Sequence, residues 1–150
     1  MNRIFTQQSD HPLFRYFTRG EREQVEELAK MFTVDAGGFL IEQGEVDSTL
    51  FAVEDGHLEV IVERGDQEKT VASVGPGDVL GEVSFIDDSA RTVSVRAGED
   101  TRVRAWNKKT LSDALGADPQ LLAKFSVAMS ELLVERLRDS VRRQGAFRPV

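Results

Sequence analysis

The feature of this sequence that most constrains its fold is a series of glycine-rich turns that divides residues 34–106 into short segments. These turns include residues 37–38, 75–78 and 98–100. Many short segments of β-branched and apolar residues, separated by such turns, indicate a β-sandwich or a barrel. The predicted strands are 39–42, 50–53, 57–63, 69–74, 79–80, 92–97 and 101–106.

The segment 57–63 shows the clearest alternation of side chains. Leu58, Val60 and Val62 fall on one face of the predicted strand. The other face carries His57, Glu59, Ile61 and Glu63. Successive side chains of a strand point to opposite faces of the sheet, so this period of two favours a strand over a helix. The next four residues, 64–67, predict a hairpin tip.

A helix is predicted before the first strand. Thr18 and Glu21 have the spacing of a capping box, in which each side chain bonds the backbone N–H of the other residue. We expect this helix to run over about 19–32. Its apolar residues recur at helical spacing and predict one inward face: Val25, Leu28, Ala29 and Phe32.

The chain returns to a helical pattern after Trp106. Asn107 is placed to cap a helix at 108–115, and Asp118 is placed to cap a final helix at about 119–143. Apolar residues of the final helix cover more than one core-facing stripe. They are Leu121, Leu122, Phe125, Val127, Ala128, Met129, Leu132, Leu133, Val134, Leu137 and Val141. We expect one side to cover the barrel and the other to meet a second chain. The alternative is a helix packed only within its own chain.

The length and charge of the chain limit its organisation and its partners. Its 150 residues suit a single domain with a sizeable core. We divide the chain 1–150 into N-terminal helices at 1–33, strands at 34–107 and C-terminal helices at 108–150. The net charge is −7, and nucleic-acid affinity comes largely from clustered Lys and Arg. We therefore expect no direct contact with nucleic acid.

Other composition features narrow the class of protein. The chain has no cysteine, which excludes a disulfide framework and a thiolate site. No apolar run approaches the ~20 residues needed to span a bilayer, and the N-terminus lacks the apolar core of a signal peptide. We therefore expect a cytoplasmic protein with no membrane partner.

The segment 81–95 has the features of an anion site. It begins where a strand ends, passes through about one helical turn and enters another strand. Unpaired amides after Gly81 would lie at a helix start, where an anion is favoured. Arg91 can donate two charge-assisted hydrogen bonds to the same anion, and Glu82 can accept one from a neighbouring hydroxyl. A phosphate with an adjoining sugar fits this arrangement.

Four stretches of the chain, in order, resemble the cyclic-nucleotide-binding domain family, which occurs in catabolite activator-type regulators, cyclic-nucleotide-dependent kinases and cyclic-nucleotide-gated channels. They are 38–45 (GFLIEQGE), 56–60 (GHLEV), 74–82 (VGPGDVLGE) and 90–95 (ARTVSV). The resemblance implies a mainly β fold: a jelly-roll-like β-roll of about eight strands with N-terminal helices and a long C-terminal helix. It also implies that 81–95 is a phosphate-binding cassette.

The resemblance implies roles for the residues of the cassette. Glu82 would accept a hydrogen bond from the ribose 2′-hydroxyl, and Arg91 would pair with the cyclic phosphate of cAMP or cGMP. Backbone amides around Val83 and Ser84, next to Gly81, would complete the phosphate site. Thr92 would add its amide and hydroxyl, and its hydroxyl is compatible with either base.

The base and sugar are expected to contact apolar side chains and the final helix. From strand alternation we expect a pocket wall of Val60, Val71, Val74, Leu80 and Val83. Arg136 is placed along the final helix to stack on the purine, a contact of ~0.5–2 kcal/mol. The alternative is that Arg136 is solvated or paired with Glu135 or Asp139.

The cassette departs from the family pattern at two positions. Ala90 stands where many members have proline, which loosens the loop without removing a contact. Val93 stands where many have a small alanine and predicts a slightly different packing. Asp87 and Asp88 place negative charge near an anionic ligand, and we expect both to face solvent, where screening weakens their effect.

Three functions are compared on these residues. The favoured one is a non-catalytic cyclic-nucleotide sensor whose final helix moves onto the base and signals to a second copy or to a downstream partner. No DNA-binding domain is recognised in the sequence. The second is an interaction module with a silent pocket. The third is a metal-dependent enzyme on a related barrel, which needs a histidine cluster; only His57 lies among the predicted strands, so we expect no catalytic residues, metal or cofactor.

Overall fold

The computed structural model describes residues 11–144. Eight strands and four α-helices follow a short 3₁₀ helix. In chain order they are the 3₁₀ helix Pro12–Phe14, α1 (Arg19–Glu27), β1 (Lys30–Val34), β2 (Phe39–Ile41), β3 (Leu50–Asp55), β4 (Leu58–Arg64), β5 (Gln67–Val74), β6 (Val79–Leu80), α2 (Glu82–Asp87), β7 (Ser94–Ala97), β8 (Thr101–Trp106), α3 (Lys108–Gly116) and α4 (Pro119–Gln144).

The strands form two four-stranded antiparallel sheets. One has the order β1-β8-β3-β6 and the other β2-β7-β4-β5. The two sheets face each other across an apolar interior that both supply: Val34, Ile41, Phe51, Val53, Leu58, Leu80, Val95, Ala97 and Val103. The predicted fold class, a mainly β roll of about eight strands with flanking helices, is confirmed.

A second core lies between the helices and the outer face of the first sheet. Its buried residues include Leu13, Phe14, Val25, Leu50, Ala52, Val79, Phe85, Trp106, Leu111, Leu121, Phe125 and Met129. Trp106 is 1% exposed, and its indole Nε1 donates to the backbone oxygen of Val25 at 2.8 Å. This bond satisfies a polar atom that would be costly to bury alone, so α1 is fixed to the end of β8.

Strand β3 takes part in both cores. All of its first four residues are buried. Leu50 and Ala52 belong to the helix-side core, whereas Phe51 and Val53 belong to the interior of the roll. The alternation of a strand therefore supplies two cores at once.

Helix α1 is shorter than the sequence predicted. The capping box is present, with Thr18 Oγ1 accepting from Glu21 N at 3.2 Å and Glu21 accepting from Thr18 N at 2.9 Å. The helix ends at Glu27, however, and Phe32 lies in strand β1, which pairs with β8. The predicted extent to 32 was wrong because pairing of residues 30–34 with β8 outweighs the helical spacing of a few apolar side chains. The roll therefore begins at residue 30 rather than 34.

A β-bulge interrupts the pairing of β5 with β4. Val60 pairs with Ala72, but Ile61 pairs with Thr70, which leaves Val71 as the extra residue on β5. A bulge inserts one residue into one strand and shifts the faces beyond it. Leu58 and Ile61 are the fully buried residues of β4, and Leu58 and Val60 pack in the interior of the roll, whereas Ile61 is not part of that cluster.

The C-terminal helices begin where the sequence predicted. Asn107 Oδ1 accepts from Thr110 N at 3.1 Å, and Asp118 Oδ1 accepts from Leu121 N at 3.1 Å. The inner face of the 26-residue α4 is buried on the helix-side core. Its outer side exposes Leu122, Val127, Val134 and Leu137. Within residues 11–144, no helix is both long enough and apolar enough to cross a membrane.

Candidate functional site

The cassette begins at Gly81, between β6 and α2. Gly81 has φ +82°, in the left-handed region that favours glycine. A Cβ placed on it would lie 2.7 Å from the backbone oxygen of Thr49 and 2.8 Å from Arg91 Nη1. Both the backbone conformation and the approach of the arginine therefore require glycine at this position.

The short helix α2 presents its N-terminal end to the site. It spans six residues and begins at Glu82, with Phe85 N donating to Gly81 O at 3.0 Å. Glu82 and Ser84 are buried, whereas Val83 is exposed. The first amides of a helix have no acceptor within the helix, so those of Val83 and Ser84 are available to an anion.

The C-terminal end of α2 is tied to its surroundings through Asp88. This residue has φ +58° and caps the helix. Its Oδ1 accepts from Ser48 Oγ at 2.7 Å and from Lys108 Nζ at 2.8 Å, and these hydrogen bonds, that of Lys108 first, lower the pKa of Asp88. Asp87 and Asp88 are both exposed, in agreement with the sequence prediction.

Arg91 is a buried cation at the floor of the site. Its side chain is only 3% exposed. Nη2 donates to Thr49 O at 2.8 Å and to Asp47 Oδ2 at 3.1 Å, and Nη1 donates to Gly81 O at 3.4 Å. Nε is buried and has no hydrogen-bond partner among the described residues. A buried donor without an acceptor is costly, so this N–H is a strong candidate for contact with a ligand.

Glu82 is joined to the final helix by an ion pair. Both of its carboxylate oxygens accept from Arg136 Nη1, while Arg136 Nη2 donates to the backbone oxygen of Val79. The side chain of Glu82 is 8% exposed. Arg136, with its side chain 37% exposed, is thus paired with Glu82 and not with Glu135 or Asp139, which was the alternative from the sequence. Its guanidinium is held against the cassette.

These residues surround a cavity of about 360 Å³. All six predicted cassette residues line it: Gly81, Glu82, Val83, Ser84, Arg91 and Thr92. Of the predicted apolar wall, Val60, Val74 and Leu80 line it as well. The final helix closes one side with Arg136, Asp139 and Arg143. Strand and helix residues far apart in sequence therefore meet around one space.

Val71 does not line this cavity, contrary to the sequence prediction. It lies at the bulge of β5 and is 40% exposed. Val71 and Val74 are three positions apart, so strand alternation places them on opposite faces of β5, and only Val74 lines the cavity. The carbonyl oxygen of Val71 instead accepts from Arg143 Nη1 at 3.4 Å.

Several lining residues were not predicted from the sequence. They are Ile41, Ala72, Ser73, Asp78, Val93, Val95, Asp139 and Arg143. Val93 and Val95 follow Arg91 at a spacing of two, and this period was a usable indication because alternate residues share a face. Asp139 and Arg143 lie three and seven positions after Arg136, which is the spacing of one helix face. No such indication existed for Asp78 or Ile41.

The cavity combines an anion site with an apolar wall. The floor offers the Nε–H of Arg91 and the amides of α2, the carboxylate of Glu82 can accept from a hydroxyl, and Val60, Val74 and Leu80 offer a surface for an apolar ring. A phosphorylated sugar that carries a flat base has these three features. Within residues 11–144, no group of three or more His, Cys, Asp or Glu side chains is arranged to hold a metal ion.

Comparison with known proteins gives a consistent result. A family model described as the cyclic nucleotide-binding domain matches residues 31–118. The cAMP-dependent protein kinase regulatory subunit of Schizosaccharomyces pombe is 26% identical over 105 residues, which cover 70% of this chain and 25% of that protein. The cGMP-dependent protein kinase of Plasmodium berghei is 27% identical over 133 residues, which cover 83% of this chain and 15% of that protein.

A solved structure extends the similarity to three dimensions. The Thermus thermophilus catabolite activator protein superposes with a TM-score of 0.79 at 26% identity, covering 89% of this chain and 62% of that chain. The chain spans a quarter or less of the two kinase relatives. The similarity therefore concerns one domain of those larger proteins.

Proposed function

The chain belongs to the cyclic nucleotide-binding domain family, and we propose that its cavity binds a 3′,5′-cyclic nucleotide, cAMP or cGMP, as the input of a regulatory module. The observation that carries the proposal is the buried guanidinium of Arg91 with its unpartnered Nε–H, beside the free amides of α2. A phosphate is the group that satisfies both.

The assigned contacts follow the chemistry of the ligand. The cyclic phosphate receives hydrogen bonds from Arg91 and from the amides of Val83 and Ser84, with Thr92 at the rim of the cavity. The ribose 2′-hydroxyl donates to Glu82. The base packs on Val60, Val74 and Leu80 beneath α4, an arrangement that does not discriminate adenine from guanine.

Binding is proposed to be coupled to α4 through Glu82. The carboxylate that accepts the ribose hydroxyl is the same one that holds Arg136. A ligand at Glu82 must therefore share this carboxylate with Arg136 or displace it, and either event changes how α4 is held. A ligand can shift the equilibrium between two positions of α4 only by as much as its binding free energy differs between those two positions.

The output is proposed to pass through the outer side of α4. Its exposed apolar residues, Leu122, Val127, Val134 and Leu137, offer a surface to a second copy of the chain or to a downstream protein. A homodimer through this helix is the favoured arrangement, because Val127 and Val134 are seven residues apart, as in a helix–helix seam. A cytoplasmic, non-catalytic role without nucleic-acid contact remains part of the proposal.

The second candidate is an interaction module whose cavity stays empty. The ion pair of Glu82 and Arg136 favours this candidate, because the polar group assigned to ribose already has a partner within the chain. In this case α4 would be held permanently against the cassette, and the fold would serve protein contacts alone.

Isothermal titration separates the two candidates. The protein is unfolded, dialysed and refolded to remove any retained ligand, and is then titrated with cAMP and with cGMP. We expect saturable heat with at least one nucleotide, with a stoichiometry of one per chain. The Arg91→Ala variant, checked by circular dichroism, should show none. An absence of heat with both nucleotides for the refolded wild type would exclude the sensor and leave the interaction module.

A further inference from the structure

A second cavity, of about 810 Å³, lies apart from the cassette. It is enclosed by the 3₁₀ helix, α1, strands β3 and β8 and the turn 75–78. Asp78 is the one described residue that lines both this cavity and the cassette cavity. The turn is fixed on β3, because Gly77 N donates to Val53 O and Val53 N donates to Asp78 O, both at 2.9 Å. The walls of the second cavity are therefore held by the framework of the β-roll.

His11 brings a buried hydrogen-bond donor to the second cavity. The residue is 7% exposed, and burial lowers its pKa to about 4, so the ring is neutral at pH 7. Nδ1 accepts from Leu13 N at 3.3 Å, which places the ring proton on Nε2 and leaves Nε2–H for the cavity that the ring lines. Nε2 is buried and has no hydrogen-bond partner among residues 11–144. A buried donor without an acceptor is costly, so this N–H indicates an acceptor from outside the described chain.

Two carboxylates of the second cavity have unused oxygen atoms. The side chain of Asp55 has no hydrogen bond or ion pair among the described residues. Asp78 Oδ2 accepts from Gly75 N at 2.9 Å, whereas its Oδ1 has no partner in the same part of the chain. Both residues are exposed, so solvent screens their charges in part. They therefore offer acceptors and negative charge to a cation.

The two arginines of the second cavity do not cancel this charge, because each pairs with a carboxylate of the same lining. Arg104 donates to Glu54 through Nε at 3.2 Å and through Nη2 at 3.1 Å, and Arg22 Nε lies 3.5 Å from Glu26 Oε2. With His11 neutral, the described lining carries a net charge of −2. The charge of the whole chain, −7, adds to the attraction of a cation.

We propose that the second cavity binds an organic ammonium compound that also carries a carbonyl or hydroxyl oxygen. The ammonium group binds the carboxylates of Asp55 and Asp78, and the oxygen accepts from His11 Nε2–H. The carbon chain between the two groups packs on Phe14 and Val53, the apolar parts of the wall. This proposal needs no nucleotide and does not depend on the function proposed above.

The groups of the second cavity favour this class of ligand over a metal ion or an anion. Within residues 11–144, no three His, Cys, Asp or Glu side chains are arranged to hold a metal ion. An anion would meet the negative charge of the lining, and a neutral His11 brings no positive charge to offset it. An ammonium group has three N–H donors, which suit separate carboxylate oxygens. A carbonyl or hydroxyl oxygen is the acceptor that His11 lacks.

Three probes separate the two proposed contacts. N-Acetylputrescine carries an ammonium group and an amide carbonyl on a flexible chain, butylamine lacks the carbonyl, and N-butylacetamide lacks the charge. Spectra of the histidine rings (¹⁵N–¹H), recorded at pH 7 without nucleotide, report binding at His11. The His11 resonances are assigned by their absence in His11→Phe. His57, which does not line the second cavity, is the internal control.

In the free protein we expect a neutral His11 ring with its proton on Nε2. N-Acetylputrescine should shift the His11 resonances saturably, with a dissociation constant of roughly 1–10 mM, because the contacts are few and partly screened. Butylamine and N-butylacetamide should bind at least roughly tenfold more weakly, since each lacks one contact. The absence of a saturable shift at His11 would overturn the proposal. Equal affinity for the three probes would mean an adventitious additive only, and would overturn it as well.

Asp55→Asn together with Asp78→Asn tests the carboxylates. The amide side chain keeps one oxygen, so residue 78 can still accept from Gly75 N. The matched control is Asp66→Asn together with Asp113→Asn, which removes the same charge at two exposed residues outside the second cavity. We expect the first pair to weaken the binding of N-acetylputrescine roughly tenfold and the control pair to weaken it less than twofold. Equal losses would mean attraction to the net charge of the chain and would contradict the proposal. If a variant fails to fold, the titration of the wild type decides.

Discussion

Glu82 and Arg136 form an ion pair that joins the first residue of α2 to the last third of α4, across 54 positions of sequence. Arg136 also donates to Val79 O, the residue that begins β6. One side chain of the final helix is thus bonded on both sides of Gly81. Arg136 therefore connects α4 both to β6 and to the first residue of α2.

Removal of Arg136 tests this connection. Because Glu82 is 8% exposed, Arg136→Ala leaves a buried carboxylate without its partner, and we expect stability to fall by about 2 kcal/mol. In a Glu82→Gln background the same substitution should cost less than about 1 kcal/mol, since no charge is left unpaired. Urea unfolding of the four proteins measures the difference.

The control for this cycle is Arg138→Ala, at an exposed arginine two positions further along the same helix. Arg138→Ala should change the free energy of unfolding by less than about 0.5 kcal/mol, both with Glu82 and in the Glu82→Gln background. Equal losses for Arg136→Ala with and without the charge on Glu82 would show that the ion pair does not hold α4.

Substitution of Gly81 tests whether the close approach of Arg91 to the backbone requires glycine at this position. In Gly81→Ala the new Cβ meets Thr49 O and Arg91 Nη1 below 3 Å, and φ is positive. We expect a loss of at least about 2 kcal/mol in stability and a weaker affinity for cyclic nucleotide. Gly116→Ala is the matched control, because nothing lies within 4 Å of its Cβ and the residue is in α3. Thermal unfolding should show no loss for this control.

Arg91→Lys tests whether the phosphate site needs a guanidinium or only a positive charge. Lysine keeps the charge but lacks the planar set of donors that bonds Thr49, Asp47 and Gly81 together. We expect the dissociation constant for the preferred nucleotide to rise at least roughly tenfold, a loss of about 1.4 kcal/mol. Titration calorimetry measures it. An unchanged dissociation constant would mean that Arg91 acts only as a point charge.

His11 predicts a dependence of stability on pH. Burial lowers its pKa from 6.5 to about 4, with Glu54 opposing and Arg104 and Arg22 adding to the shift. The unfolded chain therefore takes up a proton at higher pH than the folded protein. Stability should fall as the pH falls from about 6.5 to about 4, by at most about 3 kcal/mol from this residue.

The measurement is urea unfolding at several pH values. His11→Phe keeps an aromatic ring against Phe14, which stacks on His11 at 4.2 Å between centroids, and should show a flatter profile. His57→Phe, at the other histidine of the chain, controls for the loss of a histidine as such. If the free energy of unfolding depends on pH equally in the wild type and in His11→Phe, His11 is excluded as the source of that dependence.

The exposed side of α4 predicts an effect on assembly. Val134→Glu together with Leu137→Glu places two charges on side chains that are 46% and 42% exposed, so the fold should be unaffected. If two copies pair through this side, sedimentation velocity should show a dimer for the wild type and a monomer for the double variant. Val46→Glu, at a residue that is 83% exposed elsewhere, should leave the sedimentation coefficient unchanged.

The sequence predicts the features of this fold that depend on local chemistry. Caps at Thr18, Asn107 and Asp118 each need only a side chain and an amide three residues away, and all three form as predicted. The residues of 81–95 come together for the same reason, since they are near one another in the chain. Residues 28–32 were assigned wrongly because the competing partner, β8, lies about seventy positions away.

The features that the sequence does not predict depend on long-range packing. The ion pair of Glu82 and Arg136 and the contact of Asp47 with Arg91 join residues more than forty positions apart, with no local spacing to indicate them. The bulge at Val71 depends on the register of two strands, and a shift of one residue reverses every face beyond it.

Strand β3 shares its side chains between the two cores, and β6 does the same with Val79 in one and Leu80 in the other. Leu80 lines the cavity, while its neighbour Val79 packs with Phe125 and Met129 of α4 in the helix-side core. The apolar wall of the cavity and the surface on which α4 packs are therefore supplied by opposite faces of β6. If the cavity binds a ligand, we expect contact at Leu80 to change the packing of Val79 directly, because the two residues are adjacent in one strand.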